Sequence, residues 1–215
     1  MQAIAQEVSV KSRARVKAHG EVFTPRSMVE QMLDLVSDDL LFVDKTFFEP
    51  AAGDGNFLVA ILQRKLRMIE KHLERDVWVR ESLFAVASIY GIELLEDNHQ
   101  EAKAAMLEEF AGFHAGHGAL PDAGSDVMRA ATFLVDSNIM CGNTLTGRDW
   151  LGDEIAFSWW VRDDIDLGIV IRQPFTFNSL RSSAPAPSLF DYLIEPDRYA
   201  PCRIEHVHKE VRAGD

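Results

Sequence analysis

The stretch FFEPAAGDGNFLVAIL, residues 47–62, decides the fold predicted for this chain. An apolar pair leads to Glu49 and a proline, and Gly53 and Gly55 then flank Asp54 before apolar residues at helical spacing. This order predicts a short buried strand, a glycine-rich turn and a helix. Glycines allow positive φ and let backbone N–H groups approach a ligand closely. Because ligands of open α/β sheets bind at the carboxyl ends of strands, the turn indicates a binding site.

The residues around this turn limit which ligand fits it. The patterns GxGxxG and GxxxxGK are absent from the turn, which argues against a dinucleotide or a triphosphate. Glu49 and Asp54 would repel phosphates and would suit a ligand with a positive amine and free hydroxyls. Glu93 ends a second predicted strand, where its carboxylate can accept both hydroxyls of a ribose. Together these features favour S-adenosylmethionine over NAD or ATP.

Composition sets the broad class of the protein. The 215 residues are 47% hydrophobic and 26% charged, which is ordinary for one globular domain with a sizeable core. No apolar run approaches the roughly 20 residues that cross a bilayer, and we expect neither a secretory signal nor a membrane partner. Two cysteines, Cys141 and Cys202, make no disulfide framework, so we expect a cytoplasmic protein. A net charge of -12 argues against a protein that coats nucleic acid.

The first 19 residues are predicted to be a basic flexible arm. Five basic side chains lie in it with no acid between them, namely Lys11, Arg13, Arg15, Lys17 and His19. Two interpretations stay open: the arm contacts phosphates, or it is a solvated and frayed terminus.

Strands and helices alternate through the next part of the chain. A helix is predicted to begin at Thr24-Pro25, with Thr24 as its cap, and another begins at Asn56. The other elements predicted up to residue 143 are a strand over 83–94, a helix from Asp97 as cap, a glycine-rich loop over 111–125, a short helix from 126 and a strand over 137–143. This order is typical of a parallel sheet with helices on its faces.

The pattern changes after about residue 150. Alternation over 154–177 predicts a β-hairpin that turns near Asp163-Asp164, and RSSAPAPS then reads as a linker. The segment LFDYLI, residues 189–194, is predicted to be a last strand.

Four segments, which occur in the order found in the family, resemble the class I S-adenosylmethionine-dependent DNA methyltransferases, specifically the adenine-N6 branch. EPAAGDGNFL resembles the cofactor-binding motif of that family, and GEVFTPRSMVEQML resembles the segment that precedes it. GIELLEDN resembles the end of the ribose-binding strand, and SNIMCGNTL resembles the end of the third strand. The resemblance covers residues 20 to 145 and implies a Rossmann-like open sheet.

The same resemblance implies roles for individual residues. Phe23, Thr24 and Pro25 would flank the methionine part of the cofactor. Glu93 would hold the ribose, and Ile92 or Leu94 would lie against the adenine. The pocket floor would be shaped by Glu49, Ala51, Gly53 and Gly55, with Asp54 near the cofactor, at its amino group.

The motif that performs the chemistry is degenerate in this chain. The family has Asp or Asn, two prolines and an aromatic after the strand that FDYLI resembles, and these residues hold the target amine. Here Pro196 stands where the acceptor belongs, and only Tyr199 falls in register; a one-residue shift offers Glu195 or Asp197 as acceptor. The third strand ends in Asn143, where the family usually has Asp. By resemblance, Asn143, Glu195 and Tyr199 are the candidate catalytic residues.

Smaller signals receive structural interpretations. His114 and His117 lie in HxxH, and Cys202 begins CxxxHxH with His206 and His208, but neither pattern supplies four ligands, and we predict no metal. Trp159 and Trp160 are expected on opposite faces of the hairpin, where packing against the core is favoured over base stacking.

Two hypotheses for function follow. The chain is a DNA adenine-N6 methyltransferase, or the cofactor-binding portion of one, in a restriction-modification setting that the resemblance implies. Alternatively, it is an inactive S-adenosylmethionine-binding module that acts as a partner subunit or regulator. The predicted organisation is an arm over 1–19, a cofactor-binding core over 20–149, a β-hairpin insertion and linker over 150–187, and a last strand with degenerate motif and tail over 188–215. Little sheet remains after Tyr199, so we expect weak DNA binding alone and a partner chain that completes the sheet.

Overall fold

The computed structural model describes residues 11–118, 121–181 and 199–212. The helices are α1 (Arg13–His19), α2 (Arg26–Asp34), α3 (Asn56–His72), α4 (Trp78–Ala87), α5 (Glu96–Gly116), α6 (Asp126–Asn138) and α7 (Phe177–Arg181), with 3-10 turns at Asp39–Leu41, Arg75–Val77 and Ile204–Lys209. The strands are β1 (Phe47–Glu49), β2 (Ile89–Glu93), β3 (Ile139–Cys141), β4 (Ala156–Arg162), β5 (Ile169–Thr176) and β6 (Cys202–Arg203). Within the described residues, no helix is both long enough and apolar enough to cross a bilayer.

A parallel sheet of three strands, in the order β1-β2-β3, lies at the centre of the α/β part. Phe47 pairs with Ile89 at the start of β1, and Glu93 pairs with Cys141 at the end of β2. Helices α3 and α4 connect β1 to β2, and α5 and α6 connect β2 to β3, as parallel pairing requires. The predicted alternation of strands and helices is thereby confirmed, and the wider Rossmann-like sheet stays a prediction.

A second sheet is antiparallel and has the order β4-β5-β6. Strands β4 and β5 pair from Ala156↔Thr176 to Arg162↔Val170, which is the hairpin that the alternation predicts. Asp163 shapes the turn, because its Oδ1 accepts from the N–H groups of Ile165 and Asp166 at 2.8 and 2.7 Å. The predicted last strand over 189–194 lies outside the described residues.

The prediction of a strand over 83–94 was wrong in its first half. Helix α4 continues to Ala87, and β2 occupies only Ile89–Glu93. Residues 83–87, LFAVA, are all apolar and all buried, so this part of α4 is apolar all round. A short apolar run of this kind has no periodicity that separates a buried helix from a buried strand.

Three predicted helix boundaries also shift. Helix α2 begins at Arg26 with Pro25 at the N-cap and without the side-chain cap expected from Thr24. Helix α5 follows Leu95, so Asp97 lies inside its first turn and is no cap. The same helix continues to Gly116, through the first six residues of the predicted glycine-rich loop, because buried Phe110 and His114 extend its apolar face.

Lys65 connects α3 to the segment before β1. Its side chain is fully buried, and Nζ donates to the carbonyls of Phe42, Val43 and Lys45 at 3.1, 2.7 and 2.7 Å. Burial lowers the pKa of Lys65 to about 7. The three carbonyls oppose that effect, because only the ammonium form has three N–H groups to donate.

Lys65→Met should therefore destabilise the protein. The substitution keeps an apolar stem of similar length and leaves three carbonyls without their donor, which should lower the free energy of unfolding by about 3 kcal/mol. Urea denaturation measures this loss. Lys71→Met, at an exposed position of the same helix, is the matched control and should change stability little; equal losses would contradict the role of Lys65.

Candidate functional site

A cavity of about 270 Å³ lies at the carboxyl edge of the parallel sheet. Four segments of the chain form its wall, which consists of residues 20–23, residues 50, 51 and 53 after β1, residues 93–95 and 98 after β2, and residues 142–145 after β3. Since all three strands point the same way, their carboxyl ends meet here. The place is the one at which the sequence predicts a ligand.

The glycine-rich turn after β1 contains two residues with positive φ, Gly53 at 58° and Gly55 at 95°. A Cβ on Gly53 would lie 3.3 Å from the Phe23 ring, which faces the same cavity. A Cβ on Gly55 would lie 2.9 Å from the Cα of Ala102 on α5. Gly53 therefore keeps the cavity wall open, whereas Gly55 lets the turn pack closely against α5.

Glu93 joins two segments of this wall. Its side chain is buried, and its Oε2 accepts from the Gly53 N–H at 2.8 Å. Its Oε1 accepts from the Leu95 N–H at 3.0 Å and from Asn98 Nδ2 at 3.4 Å. Each carboxylate oxygen has two acceptor sites, so Oε2 keeps one for a ligand hydroxyl.

Glu21 and Asn98 are cavity residues that the sequence alone does not identify. Arg15 donates to both oxygens of Glu21, each at 2.6 Å, and Asn98 Nδ2 donates to Glu21 Oε1 at 2.7 Å. The Arg15 guanidinium, together with Asn98, lowers the pKa of Glu21. Asn98 thus bridges Glu21 and Glu93. The sequence contains only a partial indication of Asn98, which lies inside the GIELLEDN segment.

The basic arm contributes to this network. Residues Arg13–His19 form helix α1, which Ser12 caps by accepting from the Arg15 N–H at 3.2 Å. Arg15 lies 2.8 Å from Asp97, and its hydrogen bond holds the pKa of Asp97 at about 2. Lys11 lies 2.6 Å from Glu101. These two cations are engaged by acids of the same chain.

Five of the predicted cofactor residues line the cavity, and these are Phe23, Ala51, Gly53, Glu93 and Leu94. Of the two residues proposed for the adenine, Leu94 is half exposed at the wall, whereas Ile92 is fully buried in the core.

The other predicted cofactor residues are not part of the cavity wall. Thr24 and Pro25 are not part of it, and Gly55 faces α5. Glu49 Oε1 accepts from the Ala51 N–H at 3.0 Å, and burial raises the pKa of Glu49. Burial also raises the pKa of Asp54, whose Oδ1 has no hydrogen-bond partner among the described residues. Their predicted roles stay predictions.

Of the candidate catalytic residues, Asn143 and Tyr199 are described, and only Asn143 lines the cavity. Asn143 lines the cavity, but its Oδ1 accepts from the N–H groups of Leu145 and Thr146 at 2.9 and 3.3 Å. Tyr199 forms an isolated β-bridge with Arg212, and the Arg172 guanidinium lies 4.7 Å from its ring centre. Tyr199 is not part of the cavity wall. Glu195 lies outside the described residues.

The two tryptophans pack against the core, as predicted. Trp160 Nε1 donates to the buried Asn138 Oδ1 at 2.8 Å. Trp159 stacks on Phe175 with ring centres 4.3 Å apart.

The histidines of the two predicted metal patterns contact other groups. His114 Nε2 lies 3.0 Å from Ser82 Oγ, and burial lowers the pKa of His114 to about 4. His206 and His208 each lie 3.3 Å from Asp126. Within the described ranges, neither HxxH nor CxxxHxH contributes to a group of three metal-ligating side chains.

The fold defines an α/β protein with a cavity at the carboxyl ends of its parallel strands. Residues 27–155 match the family described as MmeI, DNA-methyltransferase domain. The match covers 129 of the 215 residues, and the chain therefore belongs to this family. No curated protein and no solved structure matches the chain. The family match supports the expectation of a DNA methyltransferase.

Glu93→Gln should destabilise the protein even without ligand. The amide would keep one oxygen acceptor and would place an NH₂ group against a backbone N–H, with an expected loss of about 2 kcal/mol in the free energy of unfolding. Chemical denaturation measures it, and Glu108→Gln at an exposed position of α5 is the control. If both variants unfold at the same denaturant concentration as the parent, Glu93 does not join the turn to β2.

Proposed function

We propose that the chain binds S-adenosylmethionine in the cavity and is a DNA adenine-N6 methyltransferase, or the cofactor-binding portion of one. The observation that carries the proposal is the position of Glu93 at the end of β2, hydrogen-bonded to the glycine turn and with acceptor capacity left on Oε2. A ribose hydroxyl would donate a hydrogen bond to the remaining acceptor site of that oxygen. The half-exposed Leu94 beside it offers apolar surface to an adenine ring.

The charge of the wall supports a cationic ligand. Glu21 is neutralised by Arg15, whereas the donors to Glu93 are neutral backbone and amide groups. The wall therefore keeps one uncompensated carboxylate, which attracts a sulfonium and an ammonium and repels a pyrophosphate. The absence of the phosphate-binding glycine patterns agrees with this choice.

Adenine as the target rests on the resemblance of four segments to the adenine-N6 branch. Asn143 supports it by its place at the cavity, where the family usually has Asp. Within this proposal the three-stranded parallel sheet is part of a larger class I open sheet, and the arm, core, hairpin and tail keep the boundaries given above.

The alternative proposal is an inactive S-adenosylmethionine-binding module that acts as a partner subunit or regulator. It is favoured by the side-chain oxygen of Asn143, which accepts from two backbone N–H groups of its own turn. It is also favoured by the position of Tyr199, whose ring packs against the guanidinium of Arg172 on β5 of the second sheet.

DNA binding by the chain alone should be weak. The net charge is -12, and Lys11 and Arg15 are held by Asp97, Glu101 and Glu21 and so are not available to phosphates. A partner chain that supplies DNA contacts fits this charge distribution.

S-adenosylmethionine should raise the melting temperature of the chain. A ligand bound only by the native state stabilises by about 2.7 kcal/mol at a hundred times its dissociation constant. Glu93→Ala should lose most of that rise. Lys65→Met is the matched control, because it is destabilised at a site away from the cavity and should keep the rise; an unchanged rise in Glu93→Ala removes Glu93 from the site.

The purified chain should transfer little labelled methyl to duplex DNA. The reason is the degenerate motif after FDYLI together with the occupied acceptor of Asn143. Labelled cofactor titrated with and without DNA separates binding from chemistry in one assay. Robust labelling would contradict the inactive alternative and the interpretation of the motif as degenerate, whereas binding without labelling fits both the cofactor-binding portion of an enzyme and the inactive module.

A further inference from the structure

Three side chains with metal-ligating atoms meet behind the cavity wall. Glu96, His99 and Cys141 each offer one ligand atom, and these atoms lie within 4.8 Å of one another. Glu96 and His99 are one turn apart at the start of α5, and Cys141 is the last residue of β3. The sequence does not predict this group, because its members come from two separate segments.

The orientation of His99 suits metal binding. Its Nε2 lies 2.8 Å from the carbonyl oxygen of Ile139. A carbonyl only accepts, so Nε2 carries the hydrogen and Nδ1 keeps its lone pair. His99 Nδ1 lies 4.0 Å from Glu96 Oε1, so its lone pair is close to the Glu96 carboxylate. Metal-binding histidines almost always donate their other N–H to a carbonyl or carboxylate in this way.

The charges around Cys141 favour a cation. Three carboxylates, those of Glu96, Glu93 and Asp149, lie near the Cys141 sulfur. The same carboxylates create a negative potential at the sulfur. This negative potential would attract a divalent ion to a position beside Sγ.

We propose that Glu96, His99 and Cys141 bind one Zn²⁺ ion. Carboxylate, imidazole and thiolate together are a zinc ligand set, and a fourth tetrahedral position would hold water. The Cys141 thiol releases its proton to solvent as the sulfur–zinc bond forms.

The ligands need only a small movement to reach the ion. Bonds of about 2.0–2.3 Å from one ion place tetrahedral ligand atoms roughly 3.3–3.7 Å apart. The Glu96 side chain is 64% exposed and can make this adjustment, whereas His99 is held by the Ile139 carbonyl.

The ion would connect two walls of the cavity. Leu95 precedes Glu96 and Gly142 follows Cys141, and both line the cavity. A bond from α5 to the end of β3 therefore holds these walls at a constant separation. This role is structural, and it does not depend on which ligand the cavity binds.

The test uses the whole chain, stripped of metal with EDTA and titrated with Co²⁺ as a spectroscopic probe. A thiolate-to-cobalt charge-transfer band should appear at one ion per chain, and Zn²⁺ should displace it and raise the melting temperature. Cys141→Ser should lose the band. Cys202→Ser, the matched cysteine control, should keep it.

A second pair of variants keeps the proposal open to refutation if Cys141→Ser does not fold. Glu96→Gln should weaken Co²⁺ binding at least about tenfold, whereas Glu108→Gln on the same helix should not change it. The proposal is overturned if the parent chain shows no band, if Cys141→Ser keeps it, if Cys202→Ser loses it, or if Glu96→Gln binds Co²⁺ as tightly as Glu108→Gln.

Discussion

The buried carboxylate of Glu93 is the constraint on which the cavity depends. It accepts hydrogen bonds from the turn after β1 and from the first residues after β2, so it sets the distance between two strand ends. A buried carboxylate needs such donors, because an unpaired charge in the interior is costly. The backbone of the glycine turn supplies one of them, through the N–H of Gly53, which adopts positive φ. The side chain that joins the two strand ends is therefore the one that we propose for ligand binding.

The N-terminal helix has a place in this arrangement that its composition does not suggest. A basic segment in an acidic protein suggests either nucleic acid or solvent as its partner. Here Arg15 instead neutralises Glu21 at the cavity wall and Asp97 at the start of α5. The pairing leaves Glu93 as the main uncompensated charge of the wall. The selectivity that we propose, for a cation over a phosphate, follows from that distribution rather than from the net charge of the chain.

Prediction from the sequence succeeded where a local pattern has one physical outcome. The apolar pair before Glu49, the glycines and the helical spacing after Asn56 all agree on strand, turn and helix, and the hairpin from β4 to β5 follows from alternation. It failed at residues 83–87, where an apolar run is buried on all sides and fits a helix as well as a strand. It also failed at Asp97, which has the residue type of a helix cap but bonds to Arg15 from the distant N-terminal segment. A contact between such separate segments has no periodicity to detect.

The sequence by itself determined the order of strands and helices, the glycine turn, the acid that ends β2 and membership of a methyltransferase family, because each depends on residues close together in the chain. Only the tertiary structure decided which of those residues face the cavity. Leu94 lines the cavity whereas Ile92 does not, and Glu21 and Asn98 are part of its wall. The side-chain oxygen of Asn143 accepts hydrogen bonds within its own turn, and Cys141 lies beside His99. The physical reason is that exposure, hydrogen-bond partners and ligand geometry are set by packing between elements, and packing joins residues that are far apart in sequence.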